Sequence, residues 1–230
     1  MKGRATRHTT LPLSMITIVC LALMAACTAP GPGPRITPAP LSPYSANPSP
    51  TSAAPKAASL GTAPPDLHDL DWARARIPGD FCDISEAVTL GSYETTAKSR
   101  TYGTVHVYRV GEEVQYGNVT GDARSEAALP VGCDNGGGTA AGQLAFGIIV
   151  FQSDAGQLKS LGTVTARHNP ENAPHVTLLG DIDLALGKAT VEEKWYRPSD
   201  ANCCPTGTAV TVWTLQDDGT LTAGPPRITA

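Results

Sequence analysis

The chain has 230 residues, of which 41% are hydrophobic and 17% charged, and a formal net charge of -4. That much apolar material supports one domain of ordinary size. The acidic balance, with no cluster of Lys and Arg, excludes a surface that tracks phosphates, so no nucleic-acid partner is expected.

Lys2, Arg4 and Arg7 open the chain, an apolar run covers 11–23, and small residues follow. That order reads as an export signal over residues 1–26. The run is too short for a spanning helix, which needs about 20 apolar residues, and Pro12, Ser14 and Thr17 interrupt it. Losing those three cations takes the net charge from -4 to -7. Leu23, Met24, Ala25, Ala26 and Cys27 resemble the bacterial lipobox, in which small residues precede a cysteine that is acylated and becomes the mature N-terminus. Met24 departs from the usual Leu, Val or Ile. The resemblance implies lipidation at Cys27, with the lipid bilayer as partner and the extracytoplasmic face of the cell membrane as address. Ordinary secretion, with cleavage after an Ala-x-Ala-like site, is the competing reading and leaves Cys27 unexplained. Each buried methylene of an acyl chain contributes about 0.8 kcal/mol, so two or more chains hold a protein durably.

Residues 28–65 contain 11 of the 20 prolines, interleaved with Gly, Ser, Thr and Ala. Such a segment cannot bury enough apolar surface to offset chain entropy, so residues 27–65 read as the lipidated Cys and a disordered tether. At about 3.1 Å per residue its extended reach is on the order of 120 Å.

Aromatic and β-branched residues return from Asp66, which sets the globular domain at 66–230. Leu67, Leu70 and Ala73 fall at helical spacing before Pro78, which predicts a short helix or turn. Strands are expected at 104–110 and 112–117, flanking Gly111 as a hairpin, and then at 126–131, 143–151, 158–165, 175–179, 189–196 and 208–215. Residues 144–151 are apolar on both faces, which places that strand centrally. In the last strand Ala209, Thr211, Trp213 and Leu215 share one face, opposite Val210 and Val212. The expected fold is mainly β, with α+β as the alternative: a single domain on an antiparallel sheet, disulfide-stapled, with no cofactor.

Four cysteines remain after Cys20 and Cys27: Cys82, Cys133, Cys203 and Cys204. An even count in an exported domain points to two disulfides. If Cys203 and Cys204 lie in extended chain, their side chains point oppositely and reach different partners, tying Cys82 and Cys133 separately to the C-terminal segment. The other connectivity joins Cys82 to Cys133 and leaves a vicinal, redox-capable pair; the first is preferred. Adjacent thiols do not reproduce the Cys-x-x-Cys spacing of a zinc site.

Residues 116–129 resemble the calcium loop of FG-GAP propeller repeats, which implies Asn118, Thr120, Asp122 and Glu126 as ligand positions. Only two of these are carboxylates and Ala123 replaces the expected glycine, so a metal-free turn is favoured over a weak calcium site. The glycine loop after Cys133, with Asn135, Gly136, Gly137 and Gly138, misses phosphate-loop spacing and precedes a strand instead of a helix. Those four residues form a candidate binding element of another kind.

The lipobox, the proline tether, residues 116–144 and the terminal WYRPSDANCCP at 195–205 together resemble the actinobacterial LppP/LprE group of lipoproteins. The likeness covers most of 82–222. It implies a class and a location, with no assigned enzymatic activity and no catalytic residue to transfer. No Gly-x-Ser-x-Gly, Ser-x-x-Lys or His-Glu-x-x-His occurs in the chain. His168, His175 and Glu171 offer a weak metal set. The pairs Glu112, Glu113 and Glu192, Glu193 are expected on solvent faces. The chain therefore reads as a binding or interaction module for the cell wall or an envelope protein, not an enzyme. The alternatives are a structural envelope protein or surface antigen, and a cell-wall hydrolase using Asp181 with Glu126.

Overall fold

A computed structural model describes residues 60–137 and 139–230. The expected export signal, Cys27, most of the expected tether and Gly138 lie outside the described residues. In chain order the strands are β1 (Arg76–Ile77), β2 (Val88–Thr89), β3 (Glu94–Ser99), β4 (Gly103–Arg109), β5 (Gln115–Gly117), β6 (Glu126–Asp134) and β7 (Gln143–Asp154). They continue as β8 (Gln157–Val164), β9 (Leu178–Ala185), β10 (Lys188–Trp195), β11 (Gly207–Leu215), β12 (Leu221–Ala223) and β13 (Arg227–Ile228). The protein is mainly β and every pairing between strands is antiparallel.

Two sheets carry the fold. One runs β3-β4-β6-β7-β8, with β5 added on β6, and curls into half a barrel. The other runs β12-β11-β10-β9, with β13 added on β11. The central pair, β6 and β7, is buried on both faces. Leu129, Val131, Ile149 and Phe151 enter one core with Leu67, Trp72 and Ile77 of the N-terminal segment. Ala128, Ile148 and Val150 enter a second core, facing Ile182, Val191 and Trp213 of the other sheet. This is the physical content of the continuous apolar run at 144–151: a strand covered on both sides has no solvent face to make polar.

Residue 161 carries a local departure from alternation. Val150 pairs with Gly162 and Phe151 with Ser160, so Leu161 is one residue too many on β8. The bulge brings Leu161 and Val164, three apart, into the same second core. At this point β8 meets β12, where a Cβ on Gly162 would stand 3.3 Å from Leu221. The opposite seam joins β5 to β9, where a Cβ on Gly117 would stand 2.3 Å from the Leu184 carbonyl oxygen. Only glycine allows so close an approach.

The expected short helix or turn at 66–78 is two single 3-10 turns, Leu67–Asp69 and Trp72–Arg74. Asp66 and Asp71 cap them by accepting from His68 N and Ala73 N, and Leu67 and Trp72 are their buried residues. The described residues begin at Leu60, six residues before Asp66, and already pack on the domain there. Leu60 is buried, Ala63 N donates to Gly156 O at 3.0 Å, and Leu158 N donates to Gly61 O at 2.8 Å.

The expected hairpin about Gly111 does not form. Both β4 and β5 pair with β6, at Val131 to Asp134 and at Glu126 to Ala128 respectively, so they lie end to end along one edge. Val110 N continues the first pairing by donating to Pro130 O, and β4 finds its hairpin partner in β3.

The preferred disulfide pattern is also corrected. Cys82 bonds Cys133 across 6.3 Å between Cα atoms, and Cys203 bonds Cys204. Cys82 and Cys133 are both fully buried in the first core, whereas Cys203 and Cys204 sit in the loop between β10 and β11 of the other sheet. The body of the curled sheet separates them. The chain at 203–204 is a turn, with Cys204 N donating to Ala201 O at 2.9 Å, and not the extended segment assumed for the other pattern.

The two bonds differ in what they constrain. The first closes a loop of 51 residues, worth about 4 kcal/mol of unfolded-state entropy, while the second closes none. The double variant Cys82→Ala/Cys133→Ala is expected to lose about 4 kcal/mol in denaturant unfolding. Cys203→Ala/Cys204→Ala is expected to change the midpoint negligibly.

Candidate functional site

Three loops gather at the end of the sheets where β7 begins. They are residues 135–142 between β6 and β7, 165–177 between β8 and β9, and 196–206 between β10 and β11. The first two enclose a cleft of about 410 Å3, lined by Ala140, Gln143, Pro170, Pro174, His175 and Thr177 among others. No Asp, Glu, Lys or Arg lines it. Its chemistry is apolar walls with amide, imidazole and hydroxyl groups, suited to a neutral ligand or an uncharged peptide segment.

The loops are held by side chains from below and within. Glu193 is fully buried, and its carboxylate accepts from Arg167 N at 3.0 Å, from His168 N at 2.8 Å and from the Thr211 hydroxyl. This overturns the expectation of a solvent-facing Glu192, Glu193 pair. Alternation through Ala189 and Val191 puts Glu193 on the inward face, a signal present in the sequence. Thr177 closes the same loop by donating its hydroxyl to His168 O at 2.8 Å, which is why β9 starts at Leu178 and not at His175.

The loop at 196–206 is built around Asp200. Its carboxylate accepts from Arg197 N at 2.8 Å, Thr206 N at 2.9 Å and the Thr206 hydroxyl at 2.8 Å. These hydrogen bonds, led by the one from Arg197 N, hold the Asp200 carboxyl below its ordinary value of 3.8. Tyr196 donates its hydroxyl to Asn202 O, and the Asn202 side chain meets His175 Nε2, each at 3.0 Å. The loop bearing the vicinal disulfide thus touches the wall of the cleft.

Gln143 links the cleft to a shallower depression of about 330 Å3, lined by Tyr93, Glu94, His106, Tyr108, Arg109 and Asp134 as well. Tyr108 donates to Gln143 Oε1, and burial, reinforced by the charge of Asp134, pushes the Tyr108 hydroxyl above its ordinary value against that hydrogen bond. His106 stands between Glu94 Oε2 at 3.0 Å and Asp134 Oδ1 at 3.6 Å. The same Asp134 oxygen accepts from Gly136 N at 2.7 Å. Sequence patterns did not reveal this group, because 94, 106, 134 and 143 are brought together only by sheet pairing.

Of the glycine-loop candidates, Asn135, Gly136 and Gly137 belong to the 135–142 loop but do not line the cleft, to which that loop contributes Ala140 and Ala141. Asn135 Oδ1 accepts from Gly137 N at 3.1 Å, and Asn135 N donates to Gly142 O at 3.1 Å, so the loop closes on itself. His168 and His175 do not converge as a metal set: His168 packs edge-on against Trp195, and His175 against Tyr196. Among the described residues no group of three or more His, Cys, Asp or Glu is placed to hold a metal ion.

Asn118, Thr120, Asp122 and Glu126 lie at the other end of the molecule and bond within their own loop. Asn118 Oδ1 accepts from Gly121 N at 2.6 Å, and Asp122 pairs with Arg124. Glu126, only 2% exposed, accepts from Val119 N at 2.6 Å, Thr120 N at 3.0 Å and the Thr120 hydroxyl at 3.0 Å. The side-chain oxygens that would ligate calcium are turned to the loop's own donors. Asp181 is exposed on the outer face of β9 while Ile182 and Leu184 point to the core. It does not meet the buried Glu126.

No family model, curated protein or solved structure matches the chain. Its chemistry is therefore read from its own side chains.

Glu193→Ala is expected to cost about 3 kcal/mol by orphaning buried donors. Amide exchange should rise at Arg167 and His168 and stay unchanged at Val119 and Thr120. Asp200 titrates below its unfolded value, so its support of the 196–206 loop is complete above pH 3.8 and is lost as pH falls through the lower folded value. Amide signals of Arg197 and Thr206 should broaden or shift in that acid window, with the sheets still folded.

Proposed function

We propose that the chain is an extracytoplasmic lipoprotein, anchored through acylated Cys27, whose globular domain is a binding module for the cell wall or an envelope protein. The likeness to LppP/LprE lipoproteins, on the lipobox, the tether and the WYRPSDANCCP segment, belongs to this reading. One observation carries it: the domain is polar in the geometric sense. The chain enters at residues 61–63, bonded to Gly156 and Leu158 at the turn between β7 and β8. The uncharged cleft stands at the other end of β7, whose 12 residues span about 35 to 40 Å. The described chain thus enters the domain at the end opposite the cleft, an arrangement that suits a binding surface on a domain anchored through its N-terminal side.

Two measurements test it. Cys27→Ser should abolish palmitate labelling and move the protein from the detergent phase to the aqueous phase in Triton X-114 partitioning. The full chain should be retained on an insoluble cell-wall preparation from the producing cells. Filling the cleft by Ala141→Trp should cut that retention about tenfold, the loss of roughly 1.4 kcal/mol of affinity. Equal retention of the two forms would remove the cleft from the binding reading.

A further inference from the structure

We propose that Cys203–Cys204 is a thiol–disulfide exchange site for a dithiol reductant, and that its redox state sets the position of His175 in the cleft wall through Asn202. The redox role deepens the binding reading given above and rests on it only for its consequence at the cleft.

Three observations carry the site. The molecule holds two disulfides in opposite environments: Cys82 and Cys133 are fully buried, while Cys203 and Cys204 are both exposed. Exchange requires a thiolate to reach a sulfur, so only the vicinal bond is open to attack in the folded state. The vicinal bond also has no role as a staple, because a sequence separation of one closes no loop of the unfolded chain. Its loop keeps its shape by other means: the Asp200 carboxylate, Tyr196 to Asn202 O, and Cys204 N to Ala201 O. The loop is thus able to survive the opening of the bond without unfolding.

Two contacts link the loop to the cleft wall, the Tyr196 ring edge-on against His175 and the Asn202 side chain, and only the second adjoins the disulfide. Asn202 adjoins Cys203, and its Oδ1 stands 3.0 Å from His175 Nε2, while His175 lines the cleft. The bond locks the Cys203–Cys204 peptide, and opening it lets that peptide turn while Tyr196 still holds Asn202 O, so the change falls on the Asn202 side chain and its contact with the His175 imidazole.

The exchange balances as follows. One thiolate of the dithiol attacks a sulfur of the vicinal bond, which breaks as a mixed disulfide forms. The donor's second thiol displaces the protein cysteine from it. Two electrons and two protons end on Cys203 and Cys204 as thiols, and the donor leaves as its own disulfide.

The test uses the oxidised full chain and dithiothreitol, without any cleft ligand. After brief native reduction and iodoacetamide trapping, peptide mass spectrometry should find label on Cys203 and Cys204 at least about 100-fold sooner than on Cys82 and Cys133. In protein with 15N-labelled histidine, the His175 ring signals should shift on reduction and return on reoxidation. Asn202→Ala should leave the order of labelling unchanged but remove the redox dependence of His175. Equal labelling rates for the two pairs would overturn the exchange site. A His175 signal indifferent to reduction in the unsubstituted protein would overturn the coupling. Retention on cell wall is measured separately, so a failure of the binding reading leaves these results standing and distinguishable.

Discussion

The fold depends on the pairing of β6 with β7, a strand pair that is enclosed on both faces. Their side chains alternate between two cores, so each strand anchors the N-terminal segment through one face and the second sheet through the other. A pair in that position cannot shift register by one residue without exchanging the contents of both cores. The remaining elements are arranged around it: β4 and β5 share the free edge of β6, and β8 follows β7 with the bulge that steers Leu161 and Val164 inward.

Two buried carboxylates extend the same order into the loops. Glu126 and Glu193 each accept two backbone amides and one threonine hydroxyl, the first at the end where the chain enters and the second beneath the cleft. Buried ionisable groups are costly unless every lone pair is met, and here the partners are supplied by loop amides that would otherwise be orphaned. The arrangement exchanges two desolvation problems for one set of hydrogen bonds. It makes the cleft wall at 165–177 a positioned structure, while the 196–206 loop against it rests on half-buried Asp200 and a solvent-facing disulfide.

Much of the fold was legible because the periodicities were clean. The alternation of Ala209, Thr211, Trp213 and Leu215 matches the inward face of β11, and the two-faced run at 144–151 is the central strand. The errors have physical causes. Residues 112–117 look like a hairpin partner for 104–110, but the two face a common neighbour, and a local pattern does not say which edge a strand joins. The charge of Glu193 argues for a solvent face, whereas its place in the alternation puts it inward. The likeness of 116–129 to a calcium loop rested on oxygen spacing, and oxygen spacing alone does not tell a ligand from an acceptor of loop amides.

By itself the sequence determined the β class, the central strand, the break in composition that separates a proline-rich segment from a folded one, and the even set of cysteines in the domain. These follow from local composition and period, which act over a few residues. Only the tertiary structure decided which cysteines pair, which glutamates are buried, and that Glu94, His106, Asp134 and Gln143 lie together beside an uncharged cleft. Each of those depends on which strand edges meet, and that is settled by the simultaneous filling of two cores and not by any one stretch of chain.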